Sequence, residues 1–184
     1  MRFTLWLALA ASAAGLTGCA PTVAIHPLYT TPDLVSDPAI EGAWVSDEGA
    51  IFRVQKSGDG YDVIATPAAN STDVSTYNVH LVRLQGFEFV DVASKSDPEV
   101  GVAGHMFAKV RIQGDELYVA AINDAWLKNM LQTGHAPQAT AGEGQQMVLT
   151  APTSELQKFI VLYAPDPAAW DDEEDSVLHR MPLQ

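Results

Sequence analysis

The chain has 184 residues, with 23 acidic against 10 basic, a formal charge of −13 at pH 7 and a single cysteine. That balance argues against partners recognised through their phosphates, because a negative surface repels nucleic acid and anionic headgroups alike. One cysteine excludes an internal disulfide, so the fold must hold by packing, and the length suits one domain with a sizeable core.

Arg2 leads into the uncharged residues 3–16 and then into Leu16-Thr17-Gly18-Cys19. A positive start, a short apolar run and small residues before a cut site mark an export signal, and the run is too short to span a bilayer. Leu16-Thr17-Gly18-Cys19 resembles the lipobox of bacterial lipoproteins. The resemblance implies that the Cys19 sulfur takes a diacylglyceryl group, that residues 1–18 are removed as signal peptide, and that the new amine is acylated. Several chains then hold the protein stably on a membrane. In that family an Asp after the Cys retains the product at the inner membrane. Ala20 stands there instead, which implies an outer-membrane location with the domain facing the periplasm.

Residues 19–38 read as the lipidated Cys followed by a tether, since Pro21, Pro27, Pro32 and Pro38 each fix φ and remove a backbone donor. Ile25, Leu28, Tyr29, Leu34 and Val35 interrupt it, so its second half is expected to lie against the domain that follows. Residues 39–164 carry that domain. Period-two segments at 42–46, 50–55, 61–66, 76–84, 87–93, 102–112 and 116–122, separated by turn residues such as Ser57-Gly58-Asp59-Gly60, predict antiparallel strands.

A helix is expected at 124–131, with Trp126, Leu127, Met130 and Leu131 on one side and Asn123 or Asp124 as cap. After a polar loop at 134–144, residues 146–150 are the expected closing strand of a set of about eight. A second helix at 154–163 follows, with Thr153 as N-cap and Leu156, Phe159, Ile160 and Tyr163 on its buried face. Residues 165–184 read as an acidic tail, with Asp171, Asp172, Glu173, Glu174 and Asp175 in succession. The fold class is all-β, a small antiparallel barrel of about eight strands with two accessory helices.

Gly42-Ala43-Trp44 resembles the Gly-x-Trp motif at the start of the first lipocalin strand, and the likeness extends loosely over residues 41–163. It implies an eight-stranded barrel whose base Trp44 closes, with a helix packed outside. The chain departs from that family in lacking a Thr-Asp-Tyr second motif and in placing a helix before the last strand. Pro27-Leu28-Tyr29-Thr30, Asp33-Leu34-Val35, Asp37-Pro38 and Gly42-Ala43-Trp44 together are similar to the start of a family of small uncharacterised bacterial lipoproteins.

Candidate chemistry is sparse. His26, His80, His105, His135 and His179 have no zinc-site spacing, so no metal is expected. His105 shares a strand face with Phe107, Lys109 and Arg111, expected to be the solvated outer wall, while Val102, Gly104, Met106, Ala108 and Val110 point inward. Glu88 and Asp91 alternate to opposite faces, and the acidic run lacks the spaced ligands and Gly turn of a calcium loop. No nucleophile elbow, phosphate loop or dinucleotide fingerprint occurs, so no catalytic residue or cofactor is assigned.

The expected function is therefore non-enzymatic: a lipoprotein held to the membrane through Cys19, binding an apolar small molecule or lipid in its barrel. The alternative is an envelope protein–protein interaction or structural module with a filled barrel. A ligand-holding hollow of about 300 Å³ or more separates the two.

Overall fold

The computed structural model describes residues 21–67, 73–94, 104–141, 147–171 and 176–182. Cys19 and the signal segment lie outside the described residues, as do Val102 and the acidic residues 172–175.

The expected tether is docked. Its short strands β1 (Val23–Ala24) and β2 (Leu34–Val35) pair with the barrel wall, and Leu28 between them is fully buried. Its prolines do not keep it extended, since Pro32 and Pro38 sit in the 3₁₀ turns Thr31–Asp33 and Pro38–Ile40, and with its apolar residues covering the wall it forms a strap.

Seven strands then run as a meander, each antiparallel to the next. They are β3 (Gly42–Ser46), β4 (Ile51–Ser57), β5 (Gly60–Thr66), β6 (Ser75–Leu84), β7 (Phe87–Ser94), β8 (His105–Gln113) and β9 (Glu116–Ala121). The β6–β7 turn places Gln85 at φ 49° and Gly86 at φ 91°, the two positive angles that match a tight hairpin to the strands' right-handed twist.

Helix α1 (Asp124–Gln132) follows, with Asn123 Oδ1 accepting the Trp126 N–H at 2.9 Å. The expected loop beyond it contains β10 (Ala139–Ala141), paired with β11 (Met147–Leu149). That later strand does not close the barrel, contrary to expectation: β11 lies outside it, parallel to β1. Helix α2 (Thr153–Tyr163) comes next. Thr153 is its first helical residue rather than its cap, and its hydroxyl donates to the Pro27 carbonyl at 2.8 Å.

Closure comes from the stretch expected to be a tail. Strand β12 (Val177–Arg180) is antiparallel to β9 on one side and β3 on the other, and β9 pairs with β8, so eight strands form a closed barrel. Leu178 enters the interior, and the Arg180 guanidinium carbon sits 4.1 Å from the centroid of the Trp44 ring. Trp44 is fully buried, and its Nε1 donates to the Ile40 carbonyl at 2.9 Å from the 3₁₀ turn Pro38–Ile40. Arg180 donates to the carbonyls of Glu41 and Ala39, fastening strand, turn and ring together.

Alternation divides the apolar residues into two cores. One fills the barrel, with Trp44, Phe52, Tyr61, Tyr77, Leu81 and Leu178 among its members. The other lies between the outer wall of β6–β8 and a cover of strap, helices and Trp170, built on Leu28, Val82, Phe89, Phe107, Leu127 and Leu156. Burial at about 25 cal/mol per Å² makes each a major stabilising term.

Candidate functional site

Outward parity on β6, β7 and β8 brings His80, Asp91 and His105 to the covered wall. Asp91 is only 1% exposed, and a carboxylate taken from water needs compensating donors. It has two: the Leu28 N–H reaches Oδ2 at 2.7 Å, and His105 Nδ1 reaches Oδ1 at 2.6 Å. A carboxylate that accepts from Nδ1 fixes both the tautomer and the plane of the imidazole. His105 thus lies on the outer face, as its parity requires, but the strap rather than solvent covers most of it: 18% of the side chain stays exposed.

His80, opposite Asp91 in the β6–β7 ladder, stacks on Tyr29 of the strap with ring centroids 4.5 Å apart. Its Nε2 lies 3.4 Å from Asp59 Oδ1. Burial, followed by the charges of Asp91 and Asp59, raises the Tyr29 hydroxyl above its ordinary pKa. The strap is held from the helical side too. Gln157 on α2 donates to the Leu28 carbonyl at 2.9 Å and to Asp33 at 2.8 Å, and Thr22 donates to Asp124 on α1 at 2.6 Å.

A small cavity of about 30 Å³ opens where the strap begins, lined by Thr22, His105, Phe107, Ile122, Asp124 and Leu149. It has room for water, not for an acyl chain. No hydroxyl is hydrogen-bonded to His105 among the described residues, and no cluster of potential metal ligands occurs among them. The Asp91–His105 pair, together with Thr22 and Gln157, fastens the strap to the barrel.

Comparison with protein-family models, curated proteins and solved structures gives no match. The reading of the site therefore rests on its own chemistry.

Of the residues singled out by sequence, Cys19 lies outside the described residues and Trp44 lies in the interior core. Glu88 pairs with Arg83 at the barrel rim, away from Asp91. The Asp91–His105 pair escaped sequence reading, although a cue was present. Asp91 has the same parity as Phe87 and Phe89, so it is a lone carboxylate on an apolar face, which implies burial with a partner.

Proposed function

We propose that the chain is an outer-membrane lipoprotein, anchored through lipid on Cys19 and facing the periplasm, whose barrel is a filled scaffold for envelope interactions and performs no covalent chemistry. The supporting observation is the barrel interior. Trp44 and Tyr61 are at most 1% exposed, and Phe52, Tyr77, Leu81, Val110 and Leu117 pack with them. Ligand-holding sites have hollows of about 300–1,000 Å³, whereas the cavity beside the start of the strap is about 30 Å³ and lies on the outer wall.

The test is made in two parts on protein from its own host. Native mass spectrometry of the lipid-free domain should show the bare polypeptide mass, and crosslinking in intact cells should trap a discrete envelope partner. A stoichiometric lipid co-purifying with the domain overturns the filled-scaffold reading. The anchor is tested separately: Cys19→Ser should accumulate as unprocessed precursor without incorporating labelled palmitate.

A further inference from the structure

We infer that the open edge of β10 is a docking surface for the same strand of a second copy, the two lying antiparallel about a two-fold axis at Thr140. The contact goes beyond the proposed scaffold role, because it stands on strand pairing alone, whether or not Cys19 is acylated.

Closure leaves the eight barrel strands without a spare edge, but the sheet outside the barrel stays open. From β8 it runs through β1 and β11 to β10, which ends the order with a neighbour on one side only. Strand β11 shows which main-chain groups of β10 face outward. The Leu149 carbonyl accepts the Ile25 N–H at 3.0 Å, so Leu149 turns its peptide groups toward β1. Its neighbours Val148 and Thr150 turn theirs the other way, and the Thr150 N–H reaches the Gln138 carbonyl at 2.8 Å. Thr140, opposite Val148, therefore bonds inward to β11. The N–H and C=O groups of Ala139 and Ala141 point off the edge, and among the described residues no strand or loop bonds to that side.

An edge of outward N–H and C=O groups is answered by another extended main chain, and this one answers itself. With Thr140 on the axis, Ala139 of one copy and Ala141 of the other form a hydrogen-bonded pair, and the reciprocal pair forms across the axis. The Thr140 residues then meet as a non-hydrogen-bonded pair. Their side chains are exposed, whereas Ala139 packs against the outer core, so they meet on the solvent face.

Charge favours this place over the rest of the surface. Two copies, each with 23 acidic against 10 basic residues, repel one another. Residues 133–141 contain no Asp, Glu, Lys or Arg, so like-charged copies approach here at low cost. Pro137 removes a donor just before the edge and limits its length. An edge of 3 residues buries far less than a stable interface, roughly 1,000 Å², so the pairing is transient and is best trapped covalently.

The experiment uses the purified full chain with single added cysteines, oxidised by copper phenanthroline, and the parent chain as control for Cys19. Residues that meet on the axis have Cα atoms about 4.5 Å apart, within the range a disulfide spans. Gln138 is exposed on the same face as Thr140, but its two copies would lie about 14 Å apart along the strands. Thr140→Cys should therefore form dimer several-fold faster than Gln138→Cys, and several-fold faster than Ser57→Cys on the exposed wall of β4. Ala139→Pro removes an outward N–H without breaking a bond to β11 and should lower the Thr140→Cys rate to that of the controls. Ala141→Pro is the second variant, used where the first lowers the melting temperature. Equal rates at positions 140, 138 and 57 overturn the pairing. So does a Thr140→Cys advantage that survives the proline in a folded chain, because the edge would then not be its cause. Thr140→Cys that stays monomeric when pure, but links to a different protein in whole cells, gives the edge to a partner's strand and overturns the second copy.

Discussion

Replacing Asp91 with Ala probes the joint on which the strap depends. The substitution removes the acceptor for the Leu28 N–H and the partner of His105 Nδ1. Leu28 is fully buried, so its amide loses its acceptor where water does not replace it, at about 1–3 kcal/mol. His105 keeps some exposure and recovers part of its hydration, which puts the total near the lower limit for breaking a buried pair, about 3 kcal/mol. For a chain of this size that lowers the melting temperature by about 6–12 °C. Asp91→Asn should cost less, because its amide oxygen can still accept from Leu28 and its NH₂ can donate to Nδ1 once the imidazole changes tautomer. Thermal melts followed by circular dichroism give the global term, and amide exchange at Leu28 gives the local one. The reasoning is refuted if Asp91→Ala melts within about 2 °C of the parent while the Leu28 amide stays equally protected.

Trp44→Ala should cost about 3–5 kcal/mol, the range for truncating a large buried aromatic; denaturant unfolding that leaves the midpoint unmoved would show that the ring does not close the barrel end. Leu178→Asp places a charge in the interior and should uncouple β12 from β3 and β9, read as aggregation or loss of a single cooperative melt; a folded monomer with parental stability counts against closure by β12. Asp171→Asn should be more stable than the parent at neutral pH. Burial raises the Asp171 pKa, the Asn123 hydrogen bond lowers it, and the Asp124 charge raises it again, with a net rise. The folded state therefore binds the proton more tightly than the unfolded chain, so this group favours folding at low pH and loses that contribution as pH climbs through the raised value. The stability gap between Asn variant and parent should close on acidification, and a gap independent of pH rules the account out.

The meander was legible because its strands alternate and its turns carry Gly at the required angles. Tyr61 and Ala65 face the interior together, as parity demands. Strand β12 was not legible, because four residues after an acidic run carry little pattern of their own. Their place is fixed by Trp44 and by the open edges of β3 and β9, all remote in sequence. The strap was legible in part: its apolar residues mark the second half as docked, as Leu34 and Val35 are, whereas its prolines suggest a free first half and nothing local shows that Leu28 binds Asp91, 63 positions further on.

The cover lies where the outer wall itself is apolar. On β4 the outward positions Arg53, Gln55 and Ser57 are exposed, so that part of the wall needs nothing over it. On β7 both parities are apolar, Phe87 and Phe89 on one and Val90 and Val92 on the other, so the strand must be buried from both sides. The sheet's interior covers only one side. A second layer is required over β6–β8, and the apolar faces of the strap, α1 and α2 are what the chain has available to supply it. Asp91 sits within that second interface as its buried ionisable group, which ties the register of the strap to the barrel at one point and lets apolar packing supply the bulk of the adhesion.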